Sequence, residues 1–315
     1  MKKVTLVLAA LLCSLSFSAS ASWWNWWKTP SGYTDTKHPI VLVHGILGFD
    51  TVIGMEYWYR IPSTLKKEGA EVYVTQVTAL DSTEARGEQL IEQIEAIIAV
   101  SGAKKVNLLG HSHGGVTSRY VASVRPDLIA SVTNIAGPTF GSPVAEAILD
   151  LNSPIRDIVL GGMNALGTLI NALSNNPVSE KQDAFDSLTS FTQAESTRFN
   201  TEHPYGVPTT SCGAGERYAS NGIQYFSFGG ASPFTNIFDP TDLLFVTTSL
   251  AFDKGVKNDG LVSSCSSHLG MIIRDDYGMN HLDEVNMMLG LHSIFETDPL
   301  TVYRQHANRL KNAGL

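Results

Sequence analysis

The chain has 315 residues, 43% of them hydrophobic and 17% charged, with a formal net charge of −8. This is too apolar for a disordered chain and too acidic for a nucleic-acid partner, and it is long enough for one large α/β domain or two modest ones. No internal repeat or low-complexity tract interrupts it.

Lys2 and Lys3 precede an uncharged apolar run from Val4 to Phe17, and Ala19-Ser20-Ala21 places small residues where a leader is cut. The pattern predicts a secretory signal peptide over 1–21, too short to span a membrane comfortably and removed before Ser22. Cys13 would leave with it. Cys212 and Cys265 remain, and two cysteines in an exported protein suggest one disulfide. Residues 22–32 form an extension with Trp23, Trp24, Trp26 and Trp27 around Asn25, read first as packed on the body, with contact to lipid as the alternative.

The main domain, 33–315, opens on the apolar strand Ile40–Val43, followed by His44-Gly45. Tyr57–Glu68 reads as a helix ended by Gly69, and Glu71–Val77 as the next strand. Asp81-Ser82-Thr83-Glu84 opens a long helix whose Leu90, Ile91, Ile94, Ile97 and Ile98 form a core-facing stripe, with Gly102 at its exit. Val106–Leu109 is a strand, Val116–Val124 a helix and Ile129–Ala136 another strand. Strands alternating with helices predict a mostly parallel sheet with helices on both faces.

Between about 142 and 196 the rhythm breaks. Ile158–Leu173 carries no charge and holds Gly161, Gly162 and Gly167, which suits either a structural helix or an apolar lid with glycine hinges. Strands resume at Gln224–Phe228, closed by Gly229-Gly230.

Gly110-His111-Ser112-His113-Gly114 lies between a strand and a helix, the context of the G-x-S-x-G nucleophile elbow. A serine hydroxyl needs a base and an orienting acid, which in this fold follow it in the order acid, then histidine. Among His203, His268, His281, His292 and His306, His281 is favoured because it sits in a turn-like junction before an apolar helical run. For the acid, Asp259 in the turn Asn258-Asp259-Gly260 competes with Asp239 and Asp283. Asp239 precedes Pro240, which also reads as a helix N-cap followed by N1. The oxyanion donors would be the N–H of His113 and, from the loop His44–Phe49, that of Ile46.

These segments, with Arg119-Tyr120-Val121, Asn258–Val262, Cys265-Ser266-Ser267-His268 and Asn280–Val285, resemble the foldase-dependent true lipases of Gram-negative bacteria, the Pseudomonas triacylglycerol lipases, from about Tyr33 to Leu315. The resemblance implies an α/β-hydrolase fold with an apolar helical lid, a triad of Ser112, Asp259 and His281, and pairing of Cys212 with Cys265. It implies one structural calcium ion (Ca2+) held by Asp239, Asp283 and the main-chain oxygens of Met287 and Leu291, a donor set that suits calcium. It further implies a periplasmic lipase-specific foldase and type II secretion to the outside of the cell. A monomer is expected. Ile46, Met287 and Val116 depart from residues common in relatives, and 142–196 matches poorly. The function expected is a secreted triacylglycerol lipase acting at lipid–water interfaces through an acyl-enzyme. The alternatives are a short-chain or phospholipid esterase on this fold and, from another class, a non-catalytic lipid-binding protein.

Overall fold

The computed structural model describes residues 32–315 except 53, 176, 179 and 180; the expected leader and residues 22–31 of the Trp-rich segment lie outside the described residues. The strands are β1 (Ile40–Val43), β4 (Val72–Val74), β5 (Val106–His111), β6 (Ile129–Ile135), β7 (Gln224–Gly230) and β8 (Met271–Tyr277), with a small hairpin of β2 (Thr51–Val52) and β3 (Met55–Glu56). The six longer-range strands pair in the order β4-β1-β5-β6-β7-β8, every pair parallel.

Successive side chains of a strand face opposite sides, and β1 shows what covers each. Ile40 and Leu42 join Trp58, Ile61, Leu65 and Tyr303 in one core, whereas Val41 and Val43 join Leu90, Ile94, Val121 and Val132 in another. The first core is closed by α1 (Ile61–Lys67) and α9 (Pro299–Asn312), the second by α2 (Thr83–Ser101) and α3 (His113–Val124). An α/β-hydrolase sheet covered on both faces follows. The remaining helices are α4 (Pro143–Leu149), α5 (Ser153–Leu173), α6 (Ala184–Thr189), α7 (Gln193–Glu202) and α8 (Asp242–Thr248).

Several boundaries differ from the sequence expectation, each for a local reason. Arg60 is left-handed (φ 63°), so α1 begins only at Ile61, and Tyr57 and Trp58 precede it as buried packing residues. Glu71–Val77 pairs as a strand only over Val72–Val74. Gly229 and Gly230 do not close β7 but belong to it: Gly230 pairs with Tyr277 of β8, and it is glycine because a methyl there would stand 2.2 Å from the Met279 carbonyl oxygen. The N-cap of α8 is Thr241 and not Asp239, whose Oδ1 instead accepts from the N–H and hydroxyl of Thr241. After His281 the chain makes only a 3₁₀ turn, Asp283–Val285, and then turns through left-handed Asn286 and Leu289 where the sequence predicts an apolar helix. The edge strand β8 has no clear sequence signal: its residues are mostly half-buried and include Arg274, Asp275 and Asp276.

The uncharged segment is helical over its whole length within α5. Along α5 the apolar side chains Ile155, Ile158, Leu166, Leu169 and Leu173 are exposed, and only Leu160 and Gly167 are buried. Cys212 and Cys265 form a disulfide across a separation of 53 residues.

Candidate active site

β5 runs without a break into the elbow, and Ser112 at its tip is held at φ 56°, ψ −127°, a conformation that costs a non-glycine residue free energy. The glycines around it are steric necessities. A methyl on Gly110 would meet the Gly114 carbonyl at 2.2 Å, and one on Gly114 would meet the Val43 carbonyl at 2.0 Å.

His281 reaches the same place from the loop after β8. Its Nδ1 lies 2.7 Å from Asp259 Oδ2, and its main-chain N–H donates to the Asp259 carbonyl. Asp259 Oδ1 accepts from the N–H groups of Leu261 and Val262, so the turn that carries the acid also aims it. A carboxylate only accepts, so Nδ1 carries the proton and Nε2 is the basic nitrogen of His281. Ser112 Oγ makes no hydrogen bond to it in this arrangement; such bonds often tighten only in the substrate complex. His268 is bound instead to Asp275 and the Gly213 carbonyl, and His306 to Thr133, so neither is paired with Asp259.

Among the described residues, the N–H groups of Ile46 and His113 have no acceptor within the protein. That of His113 belongs to the first turn of α3, where helical donors are left over. The His113 imidazole is turned away, within 2.9 Å of Thr83 Oγ1, and burial holds it well below the usual histidine range.

The loop of Ile46 is pinned from below. His44 Nε2 accepts the N–H of Val77, so its Nδ1 holds the proton and donates it to the Gly45 carbonyl at 2.9 Å. Arg86, fully buried, donates to the carbonyls of His44 (2.6 Å), Gly45 (3.4 Å) and Thr78. Burial, then the neighbouring Arg86 charge, lowers His44 to about 3, and burial lowers Arg86 to about 10. A cavity of about 80 Å³ at Ser112 is lined by Ile46, Val144, Ile148, Leu188, Phe191 and, from α5, Met163.

The alpha/beta hydrolase fold family matches this chain over residues 38–165. A triacylglycerol lipase of Vibrio cholerae serotype O1 is 52% identical, with all of both chains covered. The chain belongs to the bacterial triacylglycerol lipases. Within that family a triacylglycerol lipase of Pseudomonas fragi is 37% identical over 89% of this lipase and 98% of its own length, and one of Burkholderia plantarii 36% identical over 90% and 88%. Among solved structures, a Bacillus licheniformis lipase in its mature form superimposes with a TM-score of 0.56 at 17% identity, covering 84% of this chain and 90% of that one, a likeness of fold.

Among the described residues of this lipase, two groups of side chains bear on metal binding. His111, His281 and Glu284, all buried, bring ligand atoms within 4.8 Å of one another. Two imidazoles are poor calcium donors, and His111 is already bonded to Tyr57 and Glu284, and His281 to Asp259. The second group is Asp239 and Asp283, 4% and 1% exposed. Asp239 Oδ2 and Asp283 Oδ1 are buried without any hydrogen-bond donor, and burial, reinforced by the charges of Asp239 and Asp242, pushes Asp283 up to about 7. The two buried carboxylates lie close enough for the charge of Asp239 to act on Asp283, and each keeps an oxygen without a donor.

Four residues of the site escape the sequence reading: Tyr57, Arg86, Glu284 and the side chain of His44. Each acts through a partner 30 or more residues away, and neither periodicity nor motif records such contacts.

Proposed function

We propose that this lipase hydrolyses long-chain glyceride esters at a lipid–water interface by a Ser–His–Asp acyl-enzyme route. The observation that carries the reading is the Asp259–His281 pair beside a strained Ser112 elbow with two unpartnered N–H groups. Ser112 Oγ attacks the ester carbonyl while His281 Nε2 takes its proton. Asp259 keeps the imidazole in the right tautomer and stabilises the imidazolium. The N–H groups of Ile46 and His113 hold the oxyanion, each worth about 3 kcal/mol in the transition state. Collapse passes the proton to the departing alkoxide, leaving an acyl-serine, and water repeats the steps to free the fatty acid and regenerate Ser112.

Asp239 and Asp283, with the main-chain oxygens of Met287 and Leu291, would hold calcium, whose charge would fix the loop that begins at His281. The buried bare carboxylate oxygens support this.

Helix α5 would act as the lid. A cavity of about 80 Å³ is far smaller than a triacylglycerol, Met163 of α5 covers it, and the outer side of the helix is apolar. Leu243 and Leu244 of α8 are exposed in the same way, while Phe245 of that helix packs against His281. Apolar rims of this kind suit a lipid surface. Carrying a series of p-nitrophenyl and glyceride esters, short to long, through their solubility limits should give higher rates on long chains and a jump in rate at the limit. A smooth saturation curve would count against the lid, and activity confined to short esters would favour a short-chain esterase.

Export through the periplasm, with a foldase, rests on the leader-like residues 1–21 and the resemblance, and the disulfide suits an oxidising compartment. In a Gram-negative host with type II secretion, active enzyme should reach the medium with a co-expressed foldase and be scarce without it. Equal yields in both cultures would remove the foldase from the scheme.

A further inference from the structure

His111, the last residue of β5, has no part in the reaction just described, yet it is the centre of a buried chain of hydrogen bonds. Gly45 N–H donates to Tyr57 Oη at 3.1 Å, Tyr57 Oη lies 2.6 Å from His111 Nδ1, and His111 Nε2 lies 3.2 Å from Glu284 Oε2. The other Glu284 oxygen accepts from the Gly230 N–H. The direction of each bond can be assigned. Tyr57 oxygen accepts from Gly45, so its one proton goes to the lone pair of His111 Nδ1; the imidazole then carries its own proton on Nε2 and gives it to Glu284. Full burial lowers His111 well below the usual histidine range, which agrees with one proton on the ring.

The ends of this chain matter more than its middle. Gly45 abuts the nucleophile: a methyl placed on it would come 2.7 Å from Ser112 Cβ and 2.9 Å from Tyr57 Oη. Its carbonyl is tied to His44 and Arg86 and its N–H to Tyr57, so both peptide planes that meet at Gly45 are fixed. A trans peptide is planar, with its N–H opposed to its C=O. The Ile46 N–H, the free donor, shares a plane with the Gly45 C=O held by His44 and Arg86, and Tyr57 fixes the adjoining plane through the Gly45 N–H, so the donor's direction depends on both. At the far end Glu284 is the third residue after His281, and the rings of His111 and His281 stand 4.5 Å apart.

We propose that Tyr57, His111 and Glu284 are positioning residues of ester hydrolysis, a static chain of hydrogen bonds that locks the oxyanion loop at Gly45 to the loop carrying the base. No proton needs to move along it. The chain keeps the Ile46 donor and His281 in one frame with Ser112, and it gives His111 its function. This rests on the reading of Ser112, His281 and the Ile46 donor given above.

Tyr57→Phe removes a single oxygen and leaves the ring packed on Trp58. The expected result is a fall of about 10- to 100-fold in kcat with KM within about twofold, below the roughly 100- to 1,000-fold cost of losing an oxyanion donor outright. The informative readout is a matched pair of substrates, an ester and its thionoester. Sulfur is a poor acceptor for oxyanion donors, so a misaligned Ile46 N–H should slow the ester far more than the thionoester and narrow their rate ratio. His111→Asn should narrow the ratio too, and the double variant should lose little more than the worse single, since both cut one chain. Equal slowing of both substrates, additive losses, or an unchanged kcat in Tyr57→Phe would overturn the proposal. A phosphonate ester that fails to label Ser112 in the unaltered protein would instead overturn the underlying active-site reading, so the two failures are distinct.

Discussion

Ser112→Ala should reduce kcat on p-nitrophenyl and glyceride esters by about 10⁶-fold, as found when a nucleophile that works as a unit with its base is removed. The melting midpoint should hardly move. Ser112 is 6% exposed, and its replacement removes one oxygen while leaving the elbow glycines and the buried strand β5 untouched. The small activity left would come from the Ile46 and His113 donors, which polarise the ester carbonyl toward water without any acyl-serine. Turnover of normal size in the folded variant would refute the nucleophile. Asp259 and His281 would then be a buried structural pair, however good their geometry.

With calcium in the proposed site, its removal should make stability depend on pH in an unusual direction. In the ion-free fold Asp283 titrates near 7, against 3.8 for an ordinary aspartate. Between these values the folded chain binds more protons than the unfolded one, so stability is lost as pH rises from about 4 to 7. A tenfold difference in proton affinity between the folded and unfolded chain corresponds to about 1.4 kcal/mol, which puts the loss at about 4 kcal/mol at most. Most carboxylates held in ion pairs behave in the opposite sense and stabilise the fold above their unfolded titration. Calcium between Asp239 and Asp283 would keep both ionised and erase the loss. The expected result is that EDTA-treated enzyme melts lower at about pH 8 than at about pH 5.5, on either side of the Asp283 titration, that calcium raises the midpoint more at the higher pH, and that Asp283→Asn flattens the difference. Activity should fall with the midpoint, because Asp283 is two residues from His281. A midpoint indifferent to EDTA at both pH values would remove the ion.

The stretches read most fully from sequence are those in which the reason for a residue is local. Continuous apolar runs identify β1 and β5 because a strand covered on both faces needs nothing else. Gly110 and Gly114 mark the elbow because their constraint is contact with backbone a few residues away or across one strand pair. Ser82 marks the start of α2 by accepting from the Ala85 N–H, as its place ahead of the first turn implies. The misreadings also have local causes. Asp239 followed by Pro240 has the form of a cap, but the helix starts later, and Asp239 Oδ1 accepts from Thr241 instead.

The order of residues alone specifies a layered α/β protein, a serine at a glycine-lined elbow, and a short set of histidines and acids from which the partners had to come; the resemblance then chooses among them. It takes the folded chain to join Asp259 to His281, to leave Asp239 and Asp283 together with bare oxygens, and to run hydrogen bonds from Gly45 through Tyr57 and His111 to Glu284. The cause is distance along the chain. Periodicity and turn chemistry encode contacts within a few residues, whereas Tyr57 and His111 are 54 apart, and His111 and Glu284 are 173 apart. A histidine beside a nucleophile reads the same in sequence whether it is idle or load-sharing, and its role becomes legible once the fold puts a donor on one ring nitrogen and an acceptor on the other.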